Sequence, residues 1–347
     1  MTLEQIKKEI QGPNYDFLRA NEHLGKNIIL LGLGGSHSYG TNIETSDVDC
    51  RGCYINSKKE ILLGDDSEQV CNEATDTTLY SFKKFIKLLS SCNPNVCEML
   101  GLKTEHYLYI SSIGQELLDN SKLFLSKKAI NTFGGYAEQQ LYRAKQLMAH
   151  NMKQDELEEH IFKVLQSIQD GFNEHYTSFN DDNIKLYIDK SISIDMNTEI
   201  FMDINLTHYP VRDYCGMWAE FQNTIKNYNK IGSRNSKAIS HGKLTKHLMH
   251  LVRLYLMCID ILEKEEIITY REEEHDLLMD IRNGKFMTND EKPTDEFWEL
   301  LKNLEKRFEY AKENTSLPDE PNYDKINEFV MSVNERIVKG EIQYGTI

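Results

Sequence analysis

The stretch that most constrains this chain is Asn27 to Ile55, NIILLGLGGSHSYGTNIETSDVDCRGCYI. Asn27 to Leu33 is an apolar run closed by glycine, the pattern of a buried strand. Gly34 and Gly35 allow a sharp bend and close approach of the backbone to a ligand. Ser36 follows, placed to open a helix and to offer a hydroxyl and an N–H to an anion. Asp47 and Asp49 flank Val48 at the start of the next predicted strand. Residues i and i+2 of a strand share a face, so both carboxylates point the same way. Two acids held together repel unless a cation sits between them. Mg²⁺, or Mn²⁺ in its place, suits oxygen ligands, and Mg²⁺ usually shares them with substrate phosphates.

A phosphate-cradling turn beside a metal-binding acid pair is what nucleotidyl transfer requires. The order Gly35-Ser36 followed by Asp47-Val48-Asp49 resembles the active-site motif of the DNA polymerase β-like nucleotidyltransferase superfamily. The longer string GGSHSYGTNIETSDVDCRG resembles more closely a branch of nucleotidyltransferases associated with RNA repair. The match is specific over about residues 27–55 and looser over 237–285.

The resemblance implies an α+β fold: a mixed-sheet catalytic domain over residues 1–120, then a mainly helical domain over 121–347 with a β-hairpin near 183–209. An NTP such as ATP would lie in the cleft between them. It also implies a third carboxylate supplied from a later strand. Asp76, at the end of a short run before a predicted helix, and Glu98, in NPNVCEML, are the two acids available. Asp76 is preferred, although the sequence Asp76-Thr77-Thr78 equally suits a helix N-cap.

The rest of the chain reads mostly as helix. Residues 1–26 suggest a helix interrupted near Gly12-Pro13. Ile61–Leu63 and Gln69–Cys71 suggest short strands around the turn Gly64-Asp65-Asp66. Residues 76–90 place Leu79, Phe82, Phe85, Ile86 and Leu89 on one helical face. Residues 96–100 suggest a strand or a buried turn, and the chain from 105 to 176 is expected to be mainly helical. IKLYIDKSISID and EIFMDINLTHY alternate as strands, with Asn197 near their turn. No Pro/Ser-rich linker separates the halves, so they are expected to pack closely.

Phe221 to Ile259 contains no Asp or Glu, in a chain whose net charge is −15. Its loop GSRNSKAISHGK, with Lys237 and His241, suits a mobile clamp on phosphates. In the helix that follows, Lys246, His250 and Arg253 are spaced i, i+4, i+7 and share a face. A triphosphate needs such counter-charge. Lys243 is a further phosphate candidate. The resembling family carries a similar Lys, His, Arg row facing its acids, and Ile281-Arg282-Asn283-Gly284-Lys285 also matches its pattern. A solvated basic stripe is the competing reading of this helix.

The acidic balance argues against a general nucleic-acid coat, because phosphate binding relies on clustered Lys and Arg. No apolar run reaches bilayer length, and seven cysteines at irregular spacing suit free thiols in a reducing compartment. A cytoplasmic location is expected. Cys50 and Cys53 sit three apart on a strand, facing opposite sides, with no second pair at metal-ligand spacing. The acceptor implied by the resemblance is an RNA end; a protein side chain or a small molecule is the alternative. A non-catalytic nucleotide or RNA sensor is a third reading, against which the retained Asp47 and Asp49 argue.

Overall fold

In the computed structural model the described residues are all except 65–66, 151–153, 193–197, 235–241, 290–291, 343–344 and 346–347. The chain forms two compact units that are not linear segments of the sequence. One comprises residues 1–140, 248–286 and 293–347, the other residues 141–247 and 287–292. The division expected near residue 120 falls at neither boundary.

The first unit is built on a five-stranded mixed sheet of order β3-β4-β2-β1-β5. Its strands are β1 (Ile28–Leu33), β2 (Cys50–Tyr54), β3 (Gln69–Asn72), β4 (Thr77–Ser81) and β5 (Tyr107–Ile110). β1 lies antiparallel to both β2 and β5, β3 lies antiparallel to β4, and β2 runs parallel to β4. Every residue of β1 is buried, which explains its continuous apolar run. The helix Leu3–Ile10 opens with a Thr2/Gln5 capping box and buries Ile6 and Ile10 against Leu18, Leu31 and Tyr54.

Several local expectations change. Residues 61–63 end a helix, Lys58–Leu63, because Ser57 and Glu60 form a capping box and Gly64 closes it in the left-handed region. The expected helix over 76–90 is a strand followed by a helix. Thr77, Leu79 and Ser81 alternate into the core as β4, and the Ser81 side chain caps the helix Phe82–Ser90. Of the strand or buried turn expected over 96–100 the structure has the turn: residues 94–100 form two short helical segments. β5 is an edge strand that the helical reading of 105–176 passed over; its four residues are all half-buried.

The segment Leu248–Lys264 of the helix Gly242–Lys264 belongs to this unit, and nearly all of it from Leu248 to Leu262 is buried. The C-terminal helices Asp295–Asn314 and Tyr323–Lys339 pack here too. Arg336 grips Glu116 with two bonds of 2.7 Å, and Phe329 meets Phe82 edge to face.

The second unit pairs the helices Gln154–Asp170 and Val211–Arg234 with a hairpin of β6 (Ile184–Lys190) and β7 (Thr198–Ile204). Its core is Leu165, Phe172, Phe179, Ile184, Met217 and Phe221. The hairpin matches the expectation for 183–209; the turn at Asn197 lies outside the described residues.

Candidate active site

β1 ends at Leu33 and the chain turns into the five-residue helix Gly35–Tyr39, with Gly34 as its extended N-cap. The helix thus begins one residue before Ser36, which is half-buried within it. The Gly34 N–H donates to the Asp49 carbonyl at 2.8 Å. Gly35 has φ +55°, and a side chain there would collide with the Asp49 carboxylate. Glycine is therefore required twice over, by conformation and by the acid lying against it.

Asp47 and Asp49 occupy the lead-in to β2, Asp47 exposed and Asp49 half-buried. Asp76 immediately precedes β4. The parallel pairing Cys50↔Thr77 puts Asp76 beside Asp49, and the Cys50 N–H donates to the Asp76 carbonyl at 3.3 Å. Asp76 caps no helix N-terminus: it closes the 3₁₀ turn Glu73–Thr75 with φ 40°, a conformation that L residues adopt at a cost. Its side chain is 62% exposed. Arg51 donates to the Asp76 carbonyl at 3.0 Å and to its carboxylate at 3.4 Å.

Glu98 is placed quite differently. It is buried in a 3₁₀ turn, accepts a hydrogen bond from the Tyr39 hydroxyl, and its carbonyl accepts from the Thr269 hydroxyl at 2.7 Å. Burial pushes its carboxyl above the ordinary range, against the pull of Arg253 and the Tyr39 bond. Of the two acids weighed for the third position, the ladder sets Asp76 beside Asp49, and Glu98 is tied to Tyr39.

Among the described residues no group of three or more His, Cys, Asp or Glu is gathered closely enough to hold a metal ion. Asp47, Asp49 and Asp76 are therefore not drawn together as a three-ligand set. One or two carboxylates, completed by water and phosphate, are the usual protein ligands of Mg²⁺.

The basic row divides. Lys243 and Lys246 belong to the second unit; Lys246 is exposed, and the Lys243 side chain lies outside the described residues. The clamp loop carrying Lys237 and His241 lies outside them as well. His250 and Arg253 belong to the first unit. His250 is half-buried, whereas Arg253 is only 7% exposed. The Arg253 guanidinium carbon stands 3.4 Å from the centroid of the Tyr39 ring. Its Nε and Nη1 have no hydrogen-bond partner among the described residues.

Three side chains from 270–282 hold the segment that leads to the acids. Arg282 donates to the Thr41 carbonyl at 2.7 Å and to the Ser46 hydroxyl at 3.4 Å. His275 Nε2 lies 2.9 Å from the Gly40 carbonyl oxygen. The Tyr270 ring fills the space where a side chain at Gly40 would go. Burial, with a smaller contribution from the Arg253 charge, lowers the proton affinity of Arg282.

Tyr39, Arg51 and Arg282 are the residues that motif reading left without a role. Arg51 could have been found, since it stands two residues beyond Asp49 in the same string and shares its face. Arg282 lay in a matching segment. Tyr39 gave no signal in the sequence.

A glycine turn after β1, Asp47 and Asp49 leading into β2, and Asp76 just before the parallel strand β4 sit in a mixed sheet consistent with a polymerase β-like domain. The chain belongs to the RNA repair pathway DNA polymerase beta family, which matches it over residues 3–332. It is also similar to an uncharacterized 38.9 kDa protein in the nrdC-mobD intergenic region of Enterobacteria phage T4. That relative is 27% identical over 119 residues, covering 30% of this chain and 35% of its own. The chain thus spans about a third of the length of the curated relative it matches. No solved structure matches the chain. Among the described residues no helix is long and apolar enough to cross a membrane.

Proposed function

We propose that this protein transfers a nucleoside monophosphate from an NTP such as ATP to an acceptor hydroxyl, with an RNA end as the acceptor, and releases pyrophosphate. The observation that carries the reading is the register that sets Asp76 beside Asp49, with Gly35 against the Asp49 carboxylate. Asp47, Asp49 and Asp76 would hold Mg²⁺ or Mn²⁺. Bound there, the metal supplies Lewis acidity toward the attacking hydroxyl and the departing phosphates.

The acceptor oxygen bonds to the α-phosphorus as the bond to the β-phosphate oxygen breaks. The hydroxyl proton goes to solvent or a carboxylate, and the electron pair leaves with pyrophosphate. The Gly34-Gly35-Ser36 turn orients the terminal phosphates. Lys243, Lys246, His250 and Arg253 neutralise the charge that develops, without covalent chemistry. The seven free cysteines suit a reducing, cytoplasmic setting.

Transfer to a protein side chain or a small molecule is a second reading, favoured by the net charge of −15. Incubating the protein with labelled NTPs and Mg²⁺, and with separate RNA, protein and metabolite pools, distinguishes the two. Label moving to RNA ends supports the proposal. Label moving only to protein or metabolites selects the second reading. No transfer to any pool, with NTP still bound, leaves a nucleotide sensor.

A further inference from the structure

Arg253 is the least satisfied charged group of the described residues. It is 7% exposed and its Nε and Nη1 carry no hydrogen bond. A buried guanidinium with two unbonded nitrogens is costly, beyond what the Tyr39 ring and the Glu98 charge return, unless an anion completes it. What surrounds it is built. Its guanidinium carbon rests over the Tyr39 ring, 3.4 Å from the centroid. The Tyr39 hydroxyl donates to Glu98, itself buried and held from behind by Thr269 on the Glu98 carbonyl. Tyr39 closes the same short helix that Gly35 opens, so the platform and the glycine turn are joined by a single turn of backbone.

We infer that Tyr39 is a positioning residue for phosphate binding: pinned by Glu98, it holds the Arg253 guanidinium so that its Nε–Nη1 edge receives a phosphate of the nucleotide. This rests on the nucleotide reading above and extends it to two residues that touch no substrate. Stacking on an aromatic face leaves the in-plane donors of a guanidinium available, which is why ring and anion can share one arginine. Glu98 does not compete for that edge, since Nε and Nη1 carry no bond to it; its bond is to the tyrosine.

The test is a double-mutant cycle on the binding of Mg²⁺–tripolyphosphate, a probe without base or sugar, measured by calorimetric titration on the full chain. Arg253→Ala is expected to weaken binding by about ten- to a hundredfold, the scale of a lost charge-assisted contact. Tyr39→Leu, which removes the platform, should weaken it by about tenfold or more, the scale of a desolvated cation–π contact. In the Arg253→Ala background Tyr39→Leu should do nothing further, because it acts through the arginine. Tyr39→Phe keeps the ring but loses the bond to Glu98, so its affinity should fall between those of wild type and Tyr39→Leu. Should Tyr39→Leu fail to fold, Tyr39→Phe with and without Arg253→Ala takes its place in the cycle.

Additive losses, or unchanged binding in Tyr39→Leu, overturn the inference while leaving the nucleotide reading intact. A wild-type protein that binds neither tripolyphosphate nor any Mg²⁺–NTP overturns both.

Discussion

Asp76 stands beside Asp49, one step ahead of the Cys50–Thr77 pair that opens the parallel ladder between β2 and β4. The two acids are far apart in sequence, and their neighbourhood depends on the ladder's register. A slip of one residue would turn the β4 side chains to the opposite face of the sheet and separate the acids.

This arrangement separates catalysis from stability at Asp76. Its side chain is largely exposed and caps no helix N-terminus, so Asp76→Asn should leave thermal stability nearly unchanged. Turnover should fall by on the order of a hundredfold or more, the scale of several kcal/mol of lost metal-assisted stabilisation. Asp47→Ala and Asp49→Ala should abolish transfer in a folded protein. Steady-state rates beside melting curves check this; near-wild-type turnover in Asp49→Ala removes the metal reading.

Glu98 carries a pH signature. Burial raises its carboxyl in the folded state, so the folded protein holds this proton to higher pH than the unfolded chain does. Its contribution to stability is therefore complete below the ordinary carboxylate range and is lost as pH rises through the raised folded value. Glu98→Gln keeps an acceptor for Tyr39 but does not ionise. The difference in melting temperature between wild type and Glu98→Gln should shift in favour of the variant as pH climbs across that window. A difference that stays flat with pH contradicts the burial of an ionisable group there.

Gly35→Ala tests the turn. The added methyl meets the Asp49 carboxylate, and φ +55° disfavours any L residue. Roughly 1–3 kcal/mol of destabilisation should result, with loss of nucleotide binding as the turn or the acid moves. Gly64→Ala is the comparison. Gly64 shares a positive φ, but a side chain there would meet open space. It should lose stability while keeping activity.

Arg282 ties the lead-in segment of the acids through Thr41 and Ser46. Arg282→Lys keeps the charge but not the two-pronged reach. A fall of about ten- to a hundredfold in kcat/KM is expected, matching about 1.5–3 kcal/mol for hydrogen bonds to a charged group. Activity unchanged in Arg282→Ala would mean that His275 and Tyr270 hold the segment by themselves.

The row Lys246, His250 and Arg253 should discriminate by charge. Alanine at Arg253 or Lys246 should weaken NTP more than NMP, because the extra phosphates need the extra cations. Lys226→Ala, outside the row, serves as control. Equal losses for both nucleotides would return the helix to a solvated stripe.

The glycine turn and the two acids were legible as a motif because they are local, sitting in one string, although Asp47 and Asp49 lie in the lead-in to β2 rather than on the strand face that their spacing suggested. The placement of Asp76 was harder to read. Thr77 to Ser81 turns Thr77, Leu79 and Ser81 inward, two of them hydroxyls, so the strand shows no apolar alternation, and it runs directly into the helix Phe82–Ser90. Tyr39 and Glu98 were illegible as a pair, since they are far apart in sequence and their bond exists only once the sheet is assembled. The linear division near residue 120 missed the buried run from Leu248 to Leu262, whose partners lie over a hundred residues earlier, as the Cys258 thiol against the Ala129 carbonyl shows.

The sheet-bearing unit is assembled from three separated lengths of chain, the last of which carries Phe329 and Arg336. During synthesis the strands emerge early, but the helix that fills their unit follows more than a hundred residues later. The clasp of Arg336 on Glu116 follows later still. A nascent chain halted after residue 140 would thus expose the apolar surface that Leu248–Leu262 covers. Completion of this unit waits for residues 248–339 to emerge, and a chain halted before them is a substrate for chaperones and proteases.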